Sequence, residues 1–142
     1  MKVNVTVTHR YQSSAERVFD AWLDAAIAGK WLFATPAGTM VRAEIDARVG
    51  GHFVFTDRRD GQDIEHVGNY LEIDRPRRLA FEFSVPKFSA GLTRVSIDIA
   101  PIDRGCELKL THDGVDPEYV TRTQSGWGML LNRLSDVLGE SA

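Results

Sequence analysis

The side chains best suited to chemistry in this sequence are four histidines, which raises the question of a metal site. His9 and His112 fall on inward positions of predicted strands, whereas His52 points outward and His66 is ambiguous. If the first and last strands pair antiparallel, His9 lies near the start of the last strand and His112 near the start of the first. No pair has the short spacing that zinc sites favour. We therefore expect no metal and no cofactor.

His112 is the strongest single candidate for chemistry. It ends an inward-facing set of residues just before the loop into the last helix. A histidine there can donate to a ligand carboxylate or act as a general base, with Tyr119 as a proton donor. The alternative is a histidine that hydrogen-bonds only to the loop backbone, and this alternative is favoured.

Other catalytic groupings are not evident. The chain has no Gly-x-Ser-x-Gly elbow, and Cys106 starts a predicted strand with no base nearby in sequence, which is typical of a small buried residue. A glycosidase-like carboxylate pair is unsupported, because most of the candidate acids fall on outward positions. These acids are Glu44, Asp46, Glu72, Glu82 and Asp98. Catalysis is therefore not expected, and His112 and Tyr119 remain weak candidates.

The totals describe an ordinary globular chain. Its 142 residues fit one domain spanning 1–142, with 43% hydrophobic and 26% charged residues. The net charge of −3 argues against a nucleic-acid binder. The only basic cluster, Arg75, Arg77 and Arg78, is expected to be a solvated turn rather than a phosphate site.

The cellular context is also constrained. A single cysteine excludes an internal disulfide and suits a reducing compartment. The N-terminus alternates in polarity and resembles no signal peptide, and no apolar run is long enough to insert in a membrane. We expect a soluble cytoplasmic protein. A homodimer is compatible with the sequence but not required by it.

Hydrophobic periodicity predicts the elements that must position these residues. Alternation with period two predicts a first strand at Val3, Val5 and Val7 and six further strands after two short helices. Ser13 and Asp24 are the predicted caps of those helices, the second of which should run to about residue 32. The tight turns indicate an antiparallel meander, and a long final helix must cover its apolar face, which gives an α+β domain.

The final helix, predicted over residues 116–139, has two unlike halves. Asp116 is its predicted N-cap, Pro117 its first residue and Gly139 its stop. Its second half carries a dense apolar stripe. Its first half instead places Tyr119, Thr123 and Gln124 on the same face and flanks Trp127 with Gly126 and Gly128. Such a half is suited to lining a cavity.

Aromatic residues give the strongest physical signal. Phe53, Phe55, Phe81 and Phe83 fall on the predicted inner face of two strands, and Tyr70 on a third. Most of them must be core. Strands this aromatic, facing a helix that is polar and glycine-flanked, also leave room for a concave apolar site.

With this order of elements, four stretches carry a resemblance to a known family: residues 15–22, 30–33, 46–53 and 126–134. The chain resembles the helix-grip fold of the START-like (SRPBCC, birch-pollen-allergen-like) superfamily. More narrowly, it is similar to the bacterial proteins that resemble the C-terminal domain of the heat-shock-protein-90 ATPase activator. The resemblance covers nearly the whole chain.

That resemblance implies a curved antiparallel sheet gripping the long helix, with a cavity between them. Many relatives bind hydrophobic or amphipathic small molecules there, a few are cyclases, hydrolases or lyases, and the eukaryotic namesake is a co-chaperone module. It also places His112 near the open end of the cavity, close to Tyr119 and Thr123. It implies no shared catalytic motif.

Our leading hypothesis is therefore a binder of a hydrophobic or amphipathic small molecule, without catalysis. The predicted apolar walls are Phe53, Phe55, Tyr70, Phe81 and Trp127. The predicted orienting residues are His112, Tyr119, Thr123 and Gln124. The alternatives are an interaction module acting on a chaperone and a cyclase or hydrolase that uses His112 as its base.

Overall fold

The computed structural model describes residues 1–88 and 91–140, in which seven strands form one antiparallel sheet. The strands are β1 (Val3–Tyr11), β2 (Thr39–Ile45), β3 (His52–Arg59), β4 (Gln62–Asp74), β5 (Arg78–Ser84), β6 (Thr93–Pro101) and β7 (Cys106–Val115). Their order across the sheet is β1-β7-β6-β5-β4-β3-β2. The predicted meander is confirmed, and β1 joins it by pairing with the last strand.

Two short helices follow β1, and both are capped by side chains. The first, α1 (Ala15–Leu23), is capped by Ser14, whose Oγ accepts the Arg17 N–H at 3.2 Å. The prediction of Ser13 as the cap is wrong, because the Ser13 hydroxyl donates to Glu140. The second, α2 (Ala25–Ala28), is capped by Asp24 as predicted but is only one turn long.

The long helix begins later than predicted. Pro117–Tyr119 forms a 3₁₀ turn, and the α-helix α3 spans Val120–Val137. Asp116 makes no side-chain cap, because its carboxylate accepts instead from the Lys2 ammonium at 2.6 Å. Gly139 adopts a φ of 76° just past the end, which is the left-handed conformation expected of a helix stop. Within the described residues, no helix combines the length and apolar character needed to cross a membrane.

The core lies between the curved sheet and the helices, which confirms the α+β helix-grip architecture. In the second half of α3, Leu131 and Leu134 are fully buried. The Tyr11 hydroxyl donates to the Leu131 carbonyl at 2.9 Å, so β1 and α3 are joined by a buried hydrogen bond as well as by packing. This half of α3 therefore clamps the sheet.

Each arginine of the basic cluster forms an ion pair with a nearby carboxylate. Arg75 makes a two-pronged contact with Asp20 of α1, at 2.7 and 2.9 Å. Arg77 pairs with the nearby Asp74. Arg78 bridges two outward-facing acids, Glu72 and Asp98. These arginines form a solvated turn whose charges are paired with carboxylates, as the sequence predicted.

We predict that Leu134→Ala lowers the free energy of unfolding by about 2–5 kcal/mol, because it opens a void where α3 is fully packed. Met129→Ala is the matched control on the same helix. Met129 is 54% exposed, so its loss should cost less than about 0.5 kcal/mol. Urea unfolding of both variants measures the difference, and equal costs would contradict a tightly packed second half.

Candidate functional site

A cleft of about 250 Å³ opens between the sheet and the first half of α3. Its walls are largely apolar and come from the loop after α2, from β5 and its following residue, and from α3. They comprise Phe33, Phe83, Val85, Trp127, Met129 and Leu130. Gly126 also lines it, and a side chain added there would meet open space rather than protein atoms. The cleft thus exists partly because α3 carries glycine at this point.

Trp127 forms the inner wall of the cleft and is held from several sides. Its ring is 4% exposed and packs against Phe33, Phe83 and Trp22, with centroids 5.9, 6.4 and 6.3 Å away. Its indole N–H donates to Nδ1 of His112 at 3.0 Å. The hydrogen bond ties α3 to β7 and fixes the orientation of this wall.

Both ring nitrogens of His112 are occupied by side chains. Because the indole of Trp127 can only donate, Nδ1 must carry the lone pair, and Nε2–H then donates to the Thr93 hydroxyl at 2.8 Å. Burial lowers the pKa of His112 from 6.5 to about 4, so the ring is neutral at pH 7. The ring has no lone pair left to accept a proton from a substrate, which argues against its use as a general base. The expectation that it bonds to loop backbone is also wrong.

Three of the four predicted orienting residues, His112, Tyr119 and Thr123, are brought together beside the cleft, and of these Thr123 also lines it. They line an adjoining outer groove of about 560 Å³, whose rim includes Phe88 and Leu92. Thr123, with Phe83 and Val85, also lines the cleft, so the two spaces meet there. Tyr119 is 46% exposed and makes no hydrogen bond to His112 among the described residues. Its ring lies 6.0 Å from the Arg122 guanidinium instead.

Four of the predicted wall residues are packed core. Phe53, Phe55, Tyr70 and Phe81 are each at most 3% exposed, and none of them lines the cleft. The gap among Phe53, Tyr70 and Phe81 leaves no space for a water molecule. These rings pack on each other, as in the perpendicular contact of Phe53 and Phe81 at 5.3 Å. The prediction placed the cavity too deep under the helix.

Gln124 is a further correction. It is exposed on α3 and lines neither the cleft nor the outer groove. Because residues three apart on a helix share a face, Gln124 was expected to accompany Trp127. Gln124 is exposed, whereas Trp127, three residues further along, is 4% exposed. Of the predicted residues, Trp127 and Thr123 line the cleft.

The polar end of the cleft, formed by Thr35, Arg59 and His66, was missed by sequence reasoning. The Arg59 Nε–H donates to Asp57 Oδ2 at 2.7 Å, and the Thr35 hydroxyl donates to the same oxygen at 2.7 Å. Asp57 is completely buried. The available signal was the period-two alternation of β3, which puts Asp57 and Arg59 on the same face as the inward phenylalanines.

His66 and Phe33 complete this end. Their rings stack with centroids 4.5 Å apart and planes 16° from parallel. Burial, reinforced by the nearby Arg59 charge, lowers the pKa of His66 to about 4. Its Nδ1 is buried without a hydrogen-bond partner among the described residues. Phe33 has a φ of 59°, a left-handed conformation that is costly for an aromatic residue and is often found at functional sites.

The histidines do not converge on a metal site. His9 pairs with Leu108 and His112 with Val5 across the β1–β7 ladder, as the antiparallel arrangement predicted. His9 lies 3.0 Å from the Ser135 hydroxyl of α3. In the described ranges, no group of three histidine, cysteine, aspartate or glutamate residues is placed to hold a metal ion.

We predict that the free energy of unfolding falls as the pH is lowered from about 6.5 to about 4. In this window the histidines of the unfolded chain bind protons, whereas buried His66 and His112 do not. Protonation therefore favours unfolding, and stability is complete only above the window. Each histidine contributes a slope of up to about 1.4 kcal/mol per pH unit. Urea unfolding across this range measures the slope.

His112→Gln isolates one contribution, because a glutamine amide can still accept from Trp127 and donate to Thr93 but does not titrate. Between pH 6.5 and 4, the free energy of unfolding of this variant should change less steeply with pH than that of the natural chain. An unchanged slope would show that His112 is not held neutral in the folded protein.

Comparison with solved structures supports the fold. A protein from Chromobacterium violaceum has a TM-score of 0.88 at 24% identity, with 97% of this chain and 98% of that chain covered. An AHSA1-like protein from Aeromonas hydrophila has a TM-score of 0.84 at 18% identity, covering 96% and 92%. A Staphylococcus aureus protein described as of unknown function has a TM-score of 0.87 at 16% identity, covering 98% and 94%. At these identities the likeness shows the fold alone.

Sequence comparison supplies the family. Among curated proteins, none matches this chain. The sequence profile of the family described as "Activator of Hsp90 ATPase homolog 1-like protein" matches residues 12–139, which include both short helices, all of β2 to β7 and α3. The chain therefore belongs to the AHSA1 family, whose fold is of the START/SRPBCC type.

Proposed function

We propose that this protein binds a hydrophobic or amphipathic small molecule in the cleft between the sheet and the first half of α3. The observation that carries the proposal is the cleft itself, an opening of about 250 Å³ with mostly apolar walls and a few polar groups at one end. Ligand sites usually have this form, and this volume is at the small end of their range. Moving an apolar group out of water and into an apolar recess of this size is favourable, because it removes apolar surface from water.

Binding without catalysis fits the states of the candidate base, His112, and of the single cysteine, Cys106. Both nitrogens of His112 are used in hydrogen bonds to Trp127 and Thr93. Cys106 is buried, and burial raises the pKa of its thiol to about 11, so it provides no thiolate at neutral pH. The cytoplasmic location proposed for the protein also suits this reduced cysteine.

The backbone of Phe33 gives independent support for a functional cleft. Its left-handed conformation costs about 1–3 kcal/mol for a residue of this type. The same conformation holds its ring against His66 in the cleft wall, and its carbonyl accepts from Arg59 Nη2 at 3.3 Å. A strained residue that shapes a cleft wall is more readily explained by binding than by folding.

A second candidate is an interaction module acting on a chaperone, which the family description favours. Its structural support is the rim of the outer groove, where Phe88 is 69% and Leu92 58% exposed. Exposed apolar side chains that lie together are typical of protein contacts.

We predict that Gly126→Leu weakens the binding of a neutral apolar dye such as Nile red by at least about tenfold, because the leucine side chain occupies the cleft. Fluorescence titration measures the affinity. Gly128→Leu is the matched control, because Gly128 lies on the same helix with open space beside it but does not line the cleft. Both changes should favour the helix by up to about 1 kcal/mol. Equal affinities in the two variants would place the dye elsewhere.

The chaperone alternative makes a separate prediction. If the outer groove binds a chaperone, the protein should raise the ATPase rate of a heat-shock protein 90, and Phe88→Ser with Leu92→Ser should abolish the effect. Gly126→Leu should leave it intact. A steady-state ATPase assay decides, and no stimulation at saturating protein would remove this candidate.

A further inference from the structure

Arg59 is placed at the polar end of the cleft with part of its guanidinium uncommitted. Its Nε–H is taken by Asp57 Oδ2 at 2.7 Å, and one Nη2–H by the Phe33 carbonyl at 3.3 Å. A guanidinium has five N–H donors. Both Nη1 hydrogens and the second Nη2 hydrogen therefore have no acceptor among the described residues.

The uncommitted donors lie on Nη1 and Nη2, the two nitrogens of the end-on edge of the guanidinium. Across this edge the two nitrogens are spaced to match the two oxygens of a carboxylate. The Arg59 side chain is 33% exposed and lines the cleft, so this edge is accessible to a ligand. A planar acid can bind there with two hydrogen bonds.

Asp57 holds Arg59 in this position without competing for the ligand. Its carboxylate is completely buried and does not line the cleft. Thr35 donates to the same oxygen as Arg59, and Gly38 packs so closely that a Cβ there would overlap the carboxylate. The Arg59 side chain therefore starts from a fixed rotamer, which lowers the entropy lost when a ligand binds.

The lining of the cleft offers cationic N–H donors and no carboxylate, since Asp57, which balances the charge of Arg59, is buried and does not line it. Among the described residues that line it, Arg59 is the only charged one, and His66 beside it is neutral at pH 7. The remaining lining is mostly apolar and leads away from Arg59 along Phe33, Phe83 and Trp127. A molecule with an acidic group at one end and an apolar body at the other matches this distribution.

We propose that the ligand of the cleft is a small monocarboxylic acid whose carboxylate pairs end-on with Arg59 and whose apolar body lies against the aromatic wall. This inference rests on the proposed binding function and names the chemical class that the site selects. It makes Arg59 a specificity-determining residue and Asp57 the residue that positions it.

The test compares octanoate with octanol, which share an apolar chain and differ in the head group. Calorimetric titration of the full chain at pH 7 should show octanoate binding about tenfold more tightly, because a charge-assisted pair at a partly exposed arginine replaces a single neutral hydrogen bond. Raising the salt concentration should weaken the binding of octanoate and leave the affinity for octanol unchanged.

Variants assign this preference to Arg59. Changing Arg59 alone to glutamine would leave the buried Asp57 without its cation, so Asp57→Asn and Arg59→Gln are combined. The double variant should bind the two ligands with equal affinity, and urea unfolding reports whether its fold is intact. Arg59→Lys keeps the positive charge but lacks the paired N–H donors of a guanidinium, so the preference for octanoate over octanol should fall severalfold. Arg58→Gln is the matched control, because Arg58 is exposed and pairs with Asp63.

The possible results distinguish a failure of the carboxylate site from a failure of the proposed binding function. If octanol binds as tightly as octanoate to the natural chain, or if the preference survives in Arg59→Lys and in the double variant, the carboxylate site is wrong while the apolar site stands. If neither ligand binds, both proposals are wrong. An equal loss of preference in Arg58→Gln would point to general surface charge.

Discussion

The hydrogen bond from the Trp127 indole to His112 determines how α3 lies over the sheet at the point where function is proposed. It requires a neutral histidine, and burial provides one by lowering the pKa to about 4. Thr93 completes the arrangement by accepting the proton on the other nitrogen. The indole is thereby fixed as the inner wall of the cleft. A histidine that looked like a candidate base is thus a structural acceptor that shapes the site.

The second half of α3 contributes to stability, whereas the first half leaves the cleft open. The second half is packed onto the sheet by Leu131, Leu134 and the buried hydrogen bond from Tyr11. The first half begins with a 3₁₀ turn and carries exposed Gly126, where a side chain would meet open space. A helix filled with leucine throughout would add buried apolar area but would also close the cleft. The glycine is consistent with a site that has to stay open.

The architecture follows closely from patterns in the sequence, because it depends on periodicity. Alternation with period two places Phe53 and Phe55 inside, and both are buried. Asp60 and Gly61 join β3 to β4 with positive φ at both residues, which is the conformation that an Asp-Gly sequence favours in a two-residue hairpin turn. The cleft is harder to predict, since a buried aromatic and a cavity-lining aromatic have the same residue type and the same parity. Only packing shows that Phe81 fills the core while Phe83 reaches the cleft.

The polar end of the cleft was hidden for a different reason. Asp57 and Arg59 continue the inward parity of β3, but a charged residue near a strand end is ordinarily assigned to solvent. Asp57 is buried because the loop after α2 encloses its carboxylate: Thr35 donates to Oδ2 and Gly38 packs against both oxygens, while Oδ1 has no hydrogen-bond partner among the described residues. That contact joins residues about twenty positions apart in sequence, and no local pattern reveals it.

The central claim is that the cleft under the first half of α3 is where a small molecule binds. Nuclear magnetic resonance titration with octanol tests it directly, by following the Met129 methyl group and the Trp127 indole N–H. Saturable shifts at these two probes, with the core probes Leu79 and Ile97 unchanged, are the predicted result. Shifts confined to Phe88 and Leu92 of the outer groove, or no saturable shift at Met129 and Trp127, would contradict the account.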